Sequence, residues 1–341
     1  MVGKFERGEA ETLERELVEL LNNRKPIHPH RCVEKLYKEI IKSYMNTYIK
    51  EAIFIGRTYD EPGDIKLISS EGKTIYIELK LVEKGKGTRA NISQDALTKL
   101  GLIYNPSGPT ISWSQFRKKN NFDKRVLDEL ERFKAYPPSV RRKEEKARYL
   151  RDKLIRPSPG SPVDKRAHEL LSSSRDPKER LAAEIVLNIL KIARDDKISY
   201  LKYLKGLHQD SENIKKFAIL LLLGFHKMNA LKKGFENFDK VIASLNSGNF
   251  NFRTYYVIKE SCEVILEDLS CWIPKLLQAN FKIEFPEGET NVTIGYSDVN
   301  GDGYKPILRV VFHWKNVFQG IQTPCLNVFD EGILKDYLIC S

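Results

Sequence analysis

The chain is expected to fold as a mixed α/β protein, a β-sheet core flanked by helices with a large helical region inserted into it or capping it. Three observations predict this. Short segments rich in β-branched and aromatic residues lie towards both ends of the 341 residues, and helical periodicity dominates the stretch between them. The 41% hydrophobic content is ordinary for a globular protein with chain enough to bury a sizeable core.

Leu13, Leu17, Leu20 and Leu21 recur at helical spacing over residues 8–23, and Pro26 with Pro29 stops that helix. A second helix over residues 31–50 gathers Val33, Leu36, Tyr37, Ile40, Ile41, Tyr44 and Tyr48 on one side. Then the period changes. Residues 53–56 (IFIG), 64–69 (DIKLIS) and 74–81 (TIYIELKL) read as three strands, separated by turns at Pro62-Gly63 and Glu71-Gly72. After a Gly/Lys-rich loop at 83–88, residues 91–102 look helical and 106–112 look like a loop. From Phe116 to about Asn280 the pattern is helical, with breaks at 136–138, 156–162 and 246–252. Within it, residues 218–225 (AILLLLGF) are hydrophobic all round, the mark of a buried central helix. Strands return at 281–285, 290–298 and 307–314, the last two as an antiparallel hairpin turning at 300–303.

Composition narrows the function. With 57 Lys+Arg against 46 Asp+Glu the formal charge is +11. Residues 117–156 alone hold 15 basic and 7 acidic side chains, a local excess of +8 that suits a polyanion. No stretch approaches the roughly 18 apolar residues of a membrane span, and the charged N-terminus lacks the apolar core of a secretory signal, so a cytoplasmic protein with no membrane partner is expected. Five cysteines, scattered and without a C-x-x-C pair, are expected to be reduced. No Gly-rich phosphate loop argues for a nucleotide cofactor, and no G-x-S-x-G turn argues for a serine nucleophile. Asp298, Asn300, Asp302 and Gly303 match the opening of a calcium loop, but Arg309 stands where the closing glutamate belongs, so a hairpin turn explains them better.

Chemistry gathers on the strand at 74–81. Alternation turns Ile75, Ile77, Leu79 and Leu81 one way and Tyr76, Glu78 and Lys80 the other. If this strand pairs with the preceding one around 70–73, Asp64 returns beside Glu78 and Lys80. Two carboxylates at the ends of paired strands make an oxygen-rich site suited to Mg²⁺, with Mn²⁺ able to substitute. A lysine beside such an ion can orient or deprotonate a water, or stabilise charge on a phosphorane.

Asp64, thirteen residues, then Glu78-Leu79-Lys80, on strands that follow a helix, resembles the PD-(D/E)xK nuclease superfamily; Gly63 stands where that motif usually has proline. Residues 85–102 resemble the stretch after the catalytic lysine in type II restriction endonucleases, and residues 308–329 the C-terminal segment of some of them. The resemblance implies a restriction-endonuclease-like fold, with Asp64, Glu78 and the Leu79 backbone carbonyl as metal ligands and Lys80 serving the water. It also implies double-stranded DNA as substrate, 5′-phosphate products and a homodimer. Many members carry a helix glutamate near the metal; Glu34, slightly ahead of Glu39, is the candidate for a supporting ligand through water here, and a solvated helix-face glutamate is the alternative reading of both. The corresponding organisation is 1–115 as N-terminal helices and catalytic core, 116–280 as a basic DNA-binding helical region, and 281–341 as a β-rich segment completing the core or contacting DNA.

Candidate DNA contacts are Arg89, Asn91, Ser93 and Gln94 beside the catalytic strand, Arg117, Lys118, Lys119, Arg141, Arg142 and Lys143 in the basic block, and His313, Lys315 and Asn316 at a strand end. Two other functions fit the same residues: a structure-specific repair or recombination nuclease, or a non-catalytic DNA-binding protein.

Overall fold

A computed structural model describes residues 2–27, 29–44, 47–82, 89–93, 95–158, 162–269, 272–297, 303–313 and 325–330; for 2–7 and 313 only the backbone is described. The chain opens with helices α1 (Val2–Leu21) and α2 (Val33–Ser43), then strands β1 (Ile49–Phe54), β2 (Ile65–Ser69) and β3 (Thr74–Val82). Next come β4 (Ala90–Ser93), α3 (Ala96–Lys99), β5 (Ile103–Tyr104), α4 (Trp113–Lys119), α5 (Phe122–Glu131) and α6 (Lys143–Tyr149), the last continuing as a π-helical turn, Leu150–Ile155. Helices α7 (Val163–Ser173) and α8 (Pro177–Lys205) lead through β6 (His208–Gln209) to α9 (Ser211–Leu222), α10 (Met228–Glu236) and α11 (Phe238–Asn246). The chain then forms β7 (Phe250–Ile258), β8 (Val264–Glu267), α12 (Ile273–Gln278), β9 (Asn280–Glu284), β10 (Asn291–Ser297), β11 (Tyr304–His313) and β12 (Cys325–Asp330).

Two five-stranded sheets result. The first runs β1-β2-β3-β7-β8, antiparallel throughout except for the parallel pair β3 and β7. Its apolar side, with Ile65, Leu67, Ile75, Ile77, Leu79, Tyr255 and Val257, packs on Leu13 and Leu17 of α1 and Val33, Leu36 and Ile40 of α2. The second sheet, β4-β12-β11-β10-β9, is wholly antiparallel. Helix α9 is buried, as its all-round hydrophobicity predicts. It shares a core with Phe252 of the first sheet and Ile283, Ile294, Val310 and Leu326 of the second. A third core belongs to the basic helical block, where Phe122, Val126, Leu130, Leu150, Ile155 and Leu170 meet Ala182, Val186 and Ile189 of α8. Among the described residues, no helix is long and apolar enough to cross a membrane.

Four readings are corrected. Residues 91–102 do not form one helix: Ala90–Ser93 is a strand paired with β12, followed by the single turn α3. The helical reading also fails at 253–267, beyond the expected break at 246–252, where β7 and β8 extend the first sheet. The alternating FNFRTYYVI segment carried that signal, and the helical character of the preceding residues obscured it. The second helix stops at Ser43, so Tyr48 lies outside it and is exposed. Finally, Cys32 and Cys262 are joined by a disulfide across 230 residues of sequence, contrary to the reduced state expected from their spacing. The β10–β11 hairpin forms as expected, while Asp298, Asn300 and Asp302 of its turn lie outside the described residues.

Candidate active site

The β2–β3 hairpin sets the site. Ile65 faces Ile77 and Leu67 faces Ile75 across the ladder, and Gly72, at φ 77°, closes the turn. Asp64 immediately precedes that register. Its backbone N–H donates to the Ile77 carbonyl at 2.8 Å, and its Oδ2 accepts from the Leu79 N–H at 3.0 Å. The carboxylate is therefore clamped by the strand that carries Glu78 and Lys80. Gly63 makes the clamp possible, because its φ is +70° and a Cβ there would sit 2.8 Å from the Ile77 carbonyl oxygen. Glycine, at the position where the resembling motif has proline, is what this backbone requires.

Alternation along β3 works as the sequence predicts. Ile75, Ile77 and Leu79 enter the helix-covered core. Glu78 and Lys80 line a small cleft on the opposite side with Arg89, His226, Thr254 and Tyr256. Glu78 is buried, with its Oε1 paired to the Lys80 ammonium and its Oε2 without a hydrogen-bond partner. An orphaned buried carboxylate oxygen is costly unless a cation meets it.

The residues that sequence reasoning missed arrive from far along the chain. Helix α9 ends at Leu222, and Gly224, at φ +77°, reverses the backbone so that His226 and Lys227 follow into the site. A Cβ on residue 224 would lie 2.2 Å from the Phe252 ring, and the Gly224 carbonyl accepts from the Gly63 N–H at 3.3 Å. His226 Nδ1 lies 3.7 Å from Glu78 Oε2. Asp64, Glu78 and His226 each place one ligand atom within 4.8 Å of the others, a group able to hold a metal ion. Lys227 Nζ donates to the carbonyls of Ile55, at 2.9 Å, and Gly63, at 2.7 Å, bracing the loop that presents Asp64.

Glu14 was missed as well. Its neighbours Leu13 and Leu17 bury α1 against the sheet, and the turn of the helix carries Glu14 in with them. Burial, then the charges of Asp64 and Glu78, push its carboxyl up to about 9. Burial and Glu78 raise Asp64 to about 6, while burial and the Lys80 charge bring His226 down to about 3, a neutral imidazole at pH 7. Lys80 keeps its proton: burial opposes the charge, but Glu78 and Asp64 hold its pKa above the ordinary lysine value. Three carboxyl groups thus crowd one cluster, and two of them are held above their ordinary values, a repulsion that a cation would relieve.

The helix glutamate whose charge interacts with Asp64 and Glu78 is Glu14 of α1, while Glu34 takes its alternative reading, a solvated helix-face residue. On α2, Glu34 is exposed and Glu39 half-buried, and neither belongs to the cluster. Leu79 pairs with Tyr255 in the parallel β3–β7 ladder, and its N–H is the one that holds Asp64.

Arg89 is also corrected as a DNA contact. It is buried, with Nη1 shared between Glu267 and Asp330 at 3.0–3.2 Å and Nη2 donating to the Leu222 carbonyl at 3.1 Å. Tyr256 Oη donates to Glu267 at 3.1 Å, closing a buried polar network beside the cleft. Asn91 and Ser93 lie in β4 opposite Asn327 and Cys325, not at a helix start; Asn91 is exposed and Ser93 half-buried. Lys118, Lys119, Arg141 and Arg142 are exposed. Arg117 is tucked over the Phe122 ring, 4.3 Å from its centre, and Lys143 pairs with Asp123 at 2.8 Å. His313 ends β11 opposite Cys325; its side chain, Gln94, Lys315 and Asn316 lie outside the described residues.

No protein-family model matches the chain, and no curated protein matches its sequence.

Proposed function

We propose that the chain is a divalent-metal-dependent endodeoxyribonuclease, a type II restriction endonuclease of the PD-(D/E)xK kind. On this reading it hydrolyses double-stranded DNA at a specific short sequence and leaves 5′-phosphate ends. The observation that carries this reading is the convergence of Asp64, Glu78 and Lys80 at the β2–β3 hairpin, with Asp64 fixed by a backbone N–H of the strand that bears the other two. The first sheet, antiparallel but for the parallel pair β3 and β7 and covered by α1 and α2, supports the reading of a mixed sheet core flanked by helices.

Asp64 and Glu78 would hold the ion, which the orphaned Glu78 Oε2 and the closeness of the two carboxylates suit. When bound, such an ion polarises a phosphodiester and acidifies water. Lys80 enters as a fixed ammonium, held by Glu78. That assigns it to orienting the attacking water and stabilising negative charge on the phosphorane, since a group that keeps its proton at neutral pH is a poor base. Cutting both strands of a two-fold symmetric site with one active site per chain calls for a homodimer. Exposed Lys118, Lys119, Arg141 and Arg142 supply cations for the phosphate backbone.

Incubation of the purified protein with unmethylated phage DNA tests the reading. Discrete fragments formed with Mg²⁺ or Mn²⁺, absent with EDTA and lost in Lys80→Ala, are expected. Salt-sensitive binding without cleavage by any divalent ion would replace the enzyme with a DNA-binding protein.

A further inference from the structure

Two carboxylates and a lysine account for an all-oxygen Mg²⁺ site, but they leave His226 unexplained. Imidazole is a poor ligand for Mg²⁺, which takes oxygen and holds its waters tightly, and a good one for the later first-row divalent ions. A buried histidine 3.7 Å from the unpartnered oxygen of a buried glutamate therefore bears on which ion the site accepts.

We infer that His226 is a third protein ligand alongside Asp64 and Glu78, and that the site selects a first-row transition-metal dication over Mg²⁺. The inference rests on the metal-site part of the nuclease reading and names the ion class it uses. Geometry supports it first. An octahedral ion with bonds of about 2.1 Å sets neighbouring ligand atoms about 3 Å apart and opposite ones about 4 Å apart. The 3.7 Å between His226 Nδ1 and Glu78 Oε2 lies between those two separations, and all three ligand atoms lie within 4.8 Å of one another, so small side-chain shifts bring them to an ion.

Division of labour within Glu78 supports it next. Oε1 is taken by Lys80, so Oε2 is the atom left for an ion, and it is the atom that faces His226. The backbone then explains why the histidine is there at all. Gly224 turns the end of α9 against Phe252 and bonds Gly63, and Lys227 holds the carbonyls of Ile55 and Gly63. Residue 226 is thus fixed against the loop that presents Asp64. A side chain so placed meets whatever Asp64 and Glu78 bind.

Calorimetric titration of the full chain with Mg²⁺, Mn²⁺ and Co²⁺, together with pulsed electron paramagnetic resonance of the Mn²⁺ form, tests the inference without DNA. Affinity is expected to rise from Mg²⁺ through Mn²⁺ to Co²⁺. His226→Gln should lower Co²⁺ affinity at least tenfold, Mn²⁺ affinity less and Mg²⁺ affinity least, because the nitrogen contributes most to the later ions. The Mn²⁺ spectrum of the unaltered protein should show ¹⁴N modulation from a directly bound imidazole, a readout independent of whether the variant folds. Absence of that modulation overturns the inference, as does a uniform loss across the three ions. Selective metal binding with ¹⁴N modulation but no cleavage of any DNA would leave the inference standing and remove the nuclease reading. Cleavage by a site whose Mn²⁺ spectrum lacks nitrogen coupling would do the reverse.

Discussion

Glu14→Gln should make the metal-free protein more stable, and the gain should depend on pH in a way only a strained carboxyl explains. In the fold, burial together with Asp64 and Glu78 raises Glu14 from an ordinary 4.5 to about 9. Between those values the folded chain binds a proton that the unfolded chain does not, so wild-type stability falls as pH rises. At pH 7 the chain is 2.5 units above the unfolded carboxyl value. At 1.36 kcal/mol per unit that amounts to about 3 kcal/mol. Glutamine keeps the shape and both hydrogen-bonding roles of a protonated carboxyl and has nothing to titrate. The two proteins should therefore melt together at pH 4.5 and diverge above it. At pH 7 in EDTA the variant should melt roughly 4–5 °C higher. A divalent ion should stabilise the wild type more than the variant, since only the wild type can release the proton and add a carboxylate to the ion's surroundings. Thermal melts at three pH values, with and without metal, decide the matter. A variant no more stable than wild type at pH 7, or a gain independent of pH, would refute the assignment of Glu14 to the acidic cluster.

Gly63→Ala should destabilise the fold by at least roughly 2 kcal/mol, because it forces a left-handed backbone on alanine and drives a Cβ to 2.8 Å from the Ile77 carbonyl; chemical denaturation measures it. Lys227→Met removes two charge-assisted bonds to Ile55 and Gly63. It should cost about 2 kcal/mol and speed amide exchange at Gly63 and Asp64 more than in α5, and equal acceleration in both places would contradict the bracing role. Lys197, half-buried on α8, is pushed down to about 8 by burial. Below pH 8 the folded state carries a charge that the unfolded state holds more favourably. Lys197→Met should therefore gain roughly 1–3 kcal/mol at pH 7, with the gain shrinking from pH 8 and gone by about 10.5 in parallel melts.

What the sequence made legible was local. The alternation of Thr74–Val82 and the Glu71-Gly72 turn sufficed to place Asp64, Glu78 and Lys80 together, because a hairpin's register follows from its turn and its apolar face. The buried run at 218–225 was legible because a helix apolar on every side has no solvent face to offer. His226, Lys227, the Cys32–Cys262 bond and the parallel β3–β7 pair were hidden for one reason. Each joins segments more than 140 residues apart, and no periodicity records which distant segment a strand or helix end will meet. Glu14 was hidden differently. It stands between Leu13 and Leu17, on a helix with charges on most other faces, and nothing in that spacing distinguishes it from the exposed Arg15.

The helical region is more than a basic appendage to the sheet. Its most buried helix, α9, runs into the Gly224 turn, and that turn is held at both ends of the site: Gly63 donates to Gly224, and three residues later Lys227 returns the contact to Gly63 and Ile55. Phe252, on the strand that pairs in parallel with the Glu78 strand, fills the space a side chain on residue 224 would need. The carboxylates are thus fixed from the sheet side by the Leu79 N–H and from the helix side by Lys227. A rigid surround matters here because the acids repel one another. Buried carboxyls left to relax would rotate apart or take up protons, as the raised values of Asp64 and Glu14 indicate. Packing of α9 between the two sheets prevents the first, leaving proton uptake or a cation as the means of relief. A metal ion held there would bind with the energy of that relief, so the unfavourable charge cluster and the affinity for metal proposed above would be one property of the same packing.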